Sequence, residues 1–118
     1  YVIRQATGCE NALGLLKLEF ENPFSMYLHD TPEKQLFKNK YRFLSHGCMR
    51  MENPIAMGRF LLSNNLKAID SIDFTKCDLN QAPIFIPVTI KTSLIVWYSQ
   101  VDFDSNNILM FYKNVYNR

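Results

Sequence analysis

Residues 45–50 read SHGCMR, which sets His46, Gly47 and Cys48 side by side in a chain with three cysteines and two histidines. A thiol of ordinary pKa is mostly protonated near neutral pH, so to attack a carbonyl it needs a base, and imidazole is the usual one. His29 is the candidate base for Cys48. Fifteen residues separate it from Ser45, enough chain to loop out and return to a neighbouring strand end. His46 is the poorer candidate, because residues so close in sequence rarely present side chains in line with each other. Gly47 permits a tight turn whose backbone N–H groups converge, and with the start of a helix near residue 54 they could stabilise an oxyanion. Arg50 adds a fixed positive charge two residues beyond the thiol. Two other readings stay open at this level. Cys48 can be a small buried apolar residue, or His29, His46 and Cys48 can be zinc ligands. Their one-residue spacing and the lack of a fourth ligand count against zinc. The thiol reading needs no metal and no cofactor.

These groups must be positioned by ordinary secondary structure. In NALGLLKLEFENP, Leu16, Leu18 and Phe20 alternate with Lys17 and Glu19, the pattern of a half-buried strand ending at Asn22-Pro23. SMYLHD reads as a second short strand ending near His29, with Tyr27 on the face of His29 and so able to line a site. TPEKQLFKNKYRFL is a polar surface loop with a helical turn, in which Lys34, Lys38 and Lys40 read as solvated charges. Asn53 can cap a helix that begins at Pro54, carries an apolar stripe of Ile55, Phe60, Leu61 and Leu62, and stops at Asn64-Asn65. That places Cys48 where a turn enters a helix. The tail predicts two or three strands. Ile84, Ile86, Val88 and Ile90 share one face of the first, and DSNN carries hairpin chemistry between SLIVWYSQVDF and ILMFYKNVY. Ile95 and Trp97 should join that apolar face around the helix. The expected class is mostly β with one main helix, an α+β domain.

The 118 residues suffice for one domain with a modest core. A composition of 47% hydrophobic and 20% charged residues is that of an ordinary globular chain. A net charge of +2, with no Lys/Arg run longer than two, argues against nucleic acid as a partner. The uncharged stretch TSLIVWYSQV is about half the length a membrane-spanning helix needs. Any membrane attachment would come through an anchor outside these residues. Three cysteines allow three single disulfides and always leave one thiol over.

The arrangement YLHDTP, fifteen residues, then SHGCMR resembles the L,D-transpeptidase (YkuD) signature, His-x(14–17)-Ser/Thr-His-Gly-Cys. Upstream, IRQATGCENALGLLKLEF is similar to the strand that precedes it in the large periplasmic murein L,D-transpeptidases. Downstream, ENP and the tail PIFIPVTI…VDFDSNNILMFYKNVYNR also fit that subgroup, so the resemblance covers nearly the whole chain. Arg50 stands where the wider family has Asn and the large subgroup has Arg. Cys9 stands where proline is usual. The strands that open the family's catalytic domain are not recognisable. The expectation is therefore that residues 1–118 are the C-terminal portion of one L,D-transpeptidase catalytic domain, a β-sandwich in this family, with one sheet edge left open.

The resemblance implies a transferase of peptidoglycan biosynthesis that shapes the cell wall from the periplasm or cell envelope. Its donor and acceptor are tetrapeptide stems, joined 3→3. Cys48 is then the nucleophile and His29 its base, with the backbone carbonyl of Asp30 orienting the imidazole. Amides around Gly47 and Cys48 bind the oxyanion, His46 shapes the pocket and Arg50 steadies a substrate carbonyl or carboxylate. Ser45 reads as a turn hydroxyl tied to backbone. Carbapenem-type β-lactams are expected as covalent inhibitors. The competing functions are a cell-wall Cys/His endopeptidase or carboxypeptidase and a non-catalytic wall-binding module.

Overall fold

A computed structural model of the chain describes residue 3, residues 5–44 and residues 47–116. Ser45 and His46 lie outside the described residues. Three short strands form the sheet that matters for function. β1 (Lys17–Glu19) pairs antiparallel with β2 (Tyr27–His29), and β2 pairs parallel with β3 (Met49–Arg50). The β1–β2 turn is organised by Asn22. Its carboxamide accepts from the amides of Phe24 and Met26 (3.1 and 2.9 Å) and donates to the carbonyls of Phe20 and Met26 (2.9 and 2.7 Å). One side chain thus replaces the ladder bonds that the turn gives up. A parallel neighbour cannot be reached by a tight turn, so the chain leaves β2 through a long crossover. That crossover carries a 3₁₀ turn over Lys34–Lys38.

The first two strands stand where the alternation predicts, although each is only three residues long. The helix α1 (Pro54–Leu61) begins at the proline, and the Asn53 carboxamide caps it by accepting from the Ala56 amide at 3.1 Å. The buried face differs from the expected stripe. Pro54, Gly58 and the cap residue Leu62 face inward, while Phe60 is exposed. The reason is a second short helix, α2 (Leu66–Asp70), whose Ile69 packs on Gly58 so closely that a Cβ there would meet the Ile69 Cδ1 at 2.5 Å. Arg59 fixes the pair, with Nε and Nη2 donating to Asp70 Oδ1 at 2.9 and 2.7 Å. Cys48 also sits differently from its expected place. It precedes the strand β3 rather than the helix, six positions before α1 begins.

The tail departs furthest from the sequence pattern. Among the described residues the only strands beyond α2 are β4 (Val101–Phe103) and β5 (Leu109–Phe111), an antiparallel hairpin. Asp104 closes it by accepting from the amides of Asn106 and Ile108, both at 2.8 Å, with Asn107 at φ 59°. Residues 83–90, expected as a strand, form none; Ile84, Ile86 and Val88 line a cavity beside Leu61, Leu62 and Ile69 without being buried, and Ile95 and Trp97 are exposed. Alternation states which face is apolar but supplies no partner edge, and Pro83 and Pro87 remove two ladder donors from this segment. The class is mixed α+β, and among the described residues a second, five-residue helix accompanies the main one.

The tail is tied to the rest by a disulfide. Cys9 bonds Cys77 across 68 positions of sequence, with Cα atoms 5.0 Å apart, and Cys48 stays outside that disulfide. Around it, Thr7 Oγ1 donates to the Asp78 carbonyl (2.9 Å) and accepts from the Gln81 amide (3.0 Å). On the chain-entropy account a loop of this length stabilises by about 4 kcal/mol. Cys77→Ser should therefore lower the unfolding free energy obtained from urea titration by most of that amount, and Cys9→Ser equally. The double variant should be no worse than either single one, because one covalent bond is lost in all three. Markedly additive losses would show that the two sulfurs act separately.

Candidate active site

The pairing register decides which side chains share a face. Lys17 stands opposite His29 and Glu19 opposite Tyr27, while Leu28 aligns with Met49 and His29 with Arg50. Side chains alternate along a strand and match across it. Lys17, Glu19, Tyr27, His29 and Arg50 therefore project from one face of the sheet. Continuing the register by one residue puts Cys48 beside Tyr27 on that same face. Leu18, Leu28 and Met49 occupy the other face, towards the helices, where Leu16 Cδ1 approaches Gly58. A polar face that carries the candidate groups and an apolar face thus lie on opposite sides of one three-stranded sheet.

On the polar face, Tyr27 and His29 meet edge to face with ring centroids 5.7 Å apart. The Lys17 ammonium lies 4.2 Å from the Tyr27 ring centroid and pairs with Glu19 Oε1 at 2.6 Å. Tyr27 hydrogen-bonds Cys48, and that bond is the main reason its phenol is held above the ordinary range. Burial and the charge of Cys48 push the same way, and Lys17 opposes them. His29 is buried at 6% exposure, and its Nδ1 lies 2.6 Å from the backbone carbonyl of Asp30. A carbonyl oxygen only accepts, so Nδ1 carries the proton and Nε2 keeps its lone pair. The imidazole is thereby fixed in the tautomer that can take a proton at Nε2.

Asp30 does more than offer that carbonyl. Its amide donates to the Leu16 carbonyl (2.8 Å), and its carboxylate accepts from the Leu15 amide (2.9 Å) and pairs with Lys34 at 2.5 Å. Lys34 in turn donates to the carbonyls of Met51 (3.1 Å) and Glu52 (2.9 Å), just after β3. Lys34 is exposed, as expected of a solvated surface charge, and its ammonium also bridges the two segments that carry His29 and Cys48. The Met51 amide completes the bridge by donating to the His29 carbonyl at 2.8 Å. Gly14, at φ 60°, is the floor beneath the carboxylate, where any Cβ would collide with Asp30. Gly47 adopts φ 151°, a conformation suited to glycine, although a Cβ there would meet nothing within 4 Å. Its constraint is backbone geometry and not crowding.

Tyr27, His29, Asp30, Cys48 and Arg50 are therefore brought together. Ser45 and His46 lie outside the described residues, and the zinc reading needs His46. Among the described residues no group of three His, Cys, Asp or Glu side chains is placed to hold a metal. Sequence reading missed Lys17 and the Asp30 carboxylate. The spacing of Lys17 from Glu19 on a two-residue period was the available signal for the former.

Two outcomes follow from these contacts. Because the fold keeps Tyr27 protonated above its ordinary value, the folded chain binds more protons than the unfolded one at alkaline pH. Stability from this contact is complete below about pH 10 and falls as pH rises beyond it. In an absorbance titration at 295 nm, Tyr27→Phe should remove the component that ionises above the ordinary tyrosines, and an unchanged curve would refute the contact. Lys34→Met strands a buried carboxylate and should cost about 2 kcal/mol in urea unfolding, with Lys34→Arg recovering part.

With this geometry in view, comparison with known proteins is direct. The family model described as L,D-transpeptidase catalytic domain (YkuD) matches residues 1–71, which include β1 to α2 and every residue of the polar face. A curated Haemophilus influenzae protein named "Putative L,D-transpeptidase" is 44% identical over 62 residues, a match covering 52% of this chain. The same match covers 12% of that relative, so the chain spans a small fraction of its length. The family match takes in more than half of the sequence and all of the candidate site, and the chain belongs to the YkuD family of L,D-transpeptidase catalytic domains.

Proposed function

We propose that residues 1–118 belong to one catalytic unit of a cysteine acyltransferase that crosslinks peptidoglycan stem peptides 3→3, and that they supply the C-terminal part of its β-sandwich. The observation that carries this reading is the locked imidazole. His29 holds its proton on Nδ1 against the Asp30 carbonyl, on the face that also presents Tyr27 and Cys48. In the proposed reaction Nε2 of His29 takes the Cys48 proton. The sulfur then adds to the carbonyl of the third residue of a donor tetrapeptide. Amides at Gly47 and Cys48 receive the developing oxyanion. As the tetrahedral intermediate collapses, the bond to the terminal D-Ala breaks, and that amine leaves with the proton from His29. The side-chain amine of a second stem then attacks the thioester, His29 accepts its proton, and the thiolate is released. The phenol of Tyr27 donates to the sulfur while it is charged. Hydrolysis of the same thioester by water would make the protein a carboxypeptidase.

The periplasm or cell envelope is the proposed location. Support comes from the Cys9–Cys77 disulfide, since such bonds persist in oxidising compartments. None of the helices is long and apolar enough to cross a membrane among the described residues.

Incubation with a carbapenem and intact-mass measurement tests the reading. One adduct should form, on Cys48 alone. Cys48→Ala should abolish it, and His29→Gln should slow it by about 10²- to 10⁴-fold, the usual contribution of a positioned base. Chelator treatment should leave it unaffected. Adduct formation that survives Cys48→Ala would refute the nucleophile, and a normal rate in His29→Gln would refute the base.

A further inference from the structure

The polar face of the sheet holds a charged pair that the proposed acyl transfer leaves unused. Lys17 stands opposite His29 and Glu19 opposite Tyr27, so Lys17 is the diagonal neighbour of the phenol. A lysine on a solvated face ordinarily carries its ammonium out into water. Here Glu19 Oε1 draws it back at 2.6 Å, and Nζ comes to rest 4.2 Å from the Tyr27 ring centroid. The Lys17 side chain is 36% exposed and that of Glu19 is 65% exposed, so solvent moderates the pair without dissolving the contact. Among the described residues, the other charged or titratable groups facing Cys48 are Tyr27 and His29 from β2 and Arg50 from β3, and Arg50 pairs with Glu33 at 3.5 Å. Lys17 is therefore the cation placed against the phenol that bonds Cys48.

We propose that Lys17 is a positioning residue for the nucleophile: its ammonium, held over the Tyr27 ring by Glu19, polarises the phenol so that its O–H donates more strongly to the Cys48 sulfur as that sulfur becomes negative. A cation on the π face draws electron density from the ring and from the phenolic oxygen, which leaves the O–H hydrogen more positive. Lys17 accordingly pulls the phenol's titration downward, against the upward push from Cys48. A stronger donor favours a charged acceptor more than a neutral one. In the step concerned, the proton passes from the sulfur to Nε2 of His29, and the phenol keeps its own. Lys17 acts on the sulfur through Tyr27. Glu19 tempers the effect, because its carboxylate offsets part of the ammonium's field while it holds the group in place. The use of this charge in acyl transfer rests on the function proposed above, whereas its effect on the sulfur does not.

Alkylation of the protein by iodoacetamide, followed against pH by intact mass with the site located by peptide mapping, reads the sulfur directly, because the thiolate is the form that reacts. Cys9 and Cys77 are held in their disulfide, so the modified residue is Cys48. Lys17→Met should raise the midpoint of the pH–rate profile by about half a pH unit, a threefold fall in thiolate on the scale of a cation–π contact at an exposed site. Lys17→Arg should restore most of it. Glu19→Gln keeps an acceptor for the ammonium but removes the opposing charge, so it should move the midpoint downward. In a Tyr27→Phe background, Lys17→Met should shift the midpoint by no more than about half as much. Far-UV circular dichroism reports that each variant is folded, and if Lys17→Met is not, the sign of the Glu19→Gln shift decides. Shifts of the same sign in Lys17→Met and Glu19→Gln, no shift in either, or an equal Lys17→Met shift with and without the phenol would overturn the proposal. Carbapenem adduct formation on Cys48, measured in the same samples, reports separately on the acyl-transfer reading. A thiol that alkylates but forms no adduct would overturn that reading and leave the alkylation profiles to decide the role of Lys17.

Discussion

A buried carboxylate is the constraint from which the rest of this site follows. Asp30 is almost fully enclosed, and an enclosed charge is tolerated only when it is paired and hydrogen-bonded. Its partners come from separate stretches of chain, Leu15 before β1 and Lys34 in the crossover, and Lys34 carries the connection on to Met51 and Glu52 beyond β3. Satisfying one charge therefore fastens three segments to each other. The backbone of the same residue sets the tautomer of His29. The fold and the proton inventory of the site share an anchor, and Gly14 is small because that anchor needs the space.

The two-residue strand β3 could not hold its own register by ladder bonds. A slip of one residue would turn Cys48 and Arg50 into the apolar side and bring Met49 out among the polar groups. The bond from the Met51 amide to the His29 carbonyl and the Lys34 bridge fix the strand from its far end. The apolar side adds its own preference through Leu18, Leu28, Met49 and the buried Met51. Which side chains share the polar face is thus specified in part by packing on the other.

Much of this was legible in the residues. The spacing of His29 from the SHGC stretch, the alternation over Leu16 to Phe20, the strand ending at His29 and the Asn53–Pro54 helix start all have local physical causes, and the structure shows those elements there. What was not legible depends on long side chains and on distant partners. Lys17, Lys34 and Arg42 look alike in sequence, as surface cations. One lies over a ring, one bridges two loops and one lines a cavity, because of what the fold brings near them. The tail misled for a related reason: Ile84, Ile95 and Trp97 carry a strand-like pattern, but a strand exists only where another edge accepts it.

The disulfide also bears on how the chain acquires its shape. Cys48 lies between the two cysteines that pair, so, at the proposed envelope location, a chain crossing a membrane N-terminus first would present Cys9 and Cys48 before Cys77 emerges. The earliest available bond is then the wrong one, and it would consume the one cysteine that the finished molecule keeps outside a disulfide. Native pairing requires that Cys48 be surrendered again by thiol exchange, or that the sheet close around Tyr27 and His29 early enough to withdraw it. In that setting the order of oxidation would decide whether each copy matures with the Cys48 sulfur available or locked into a covalent dead end.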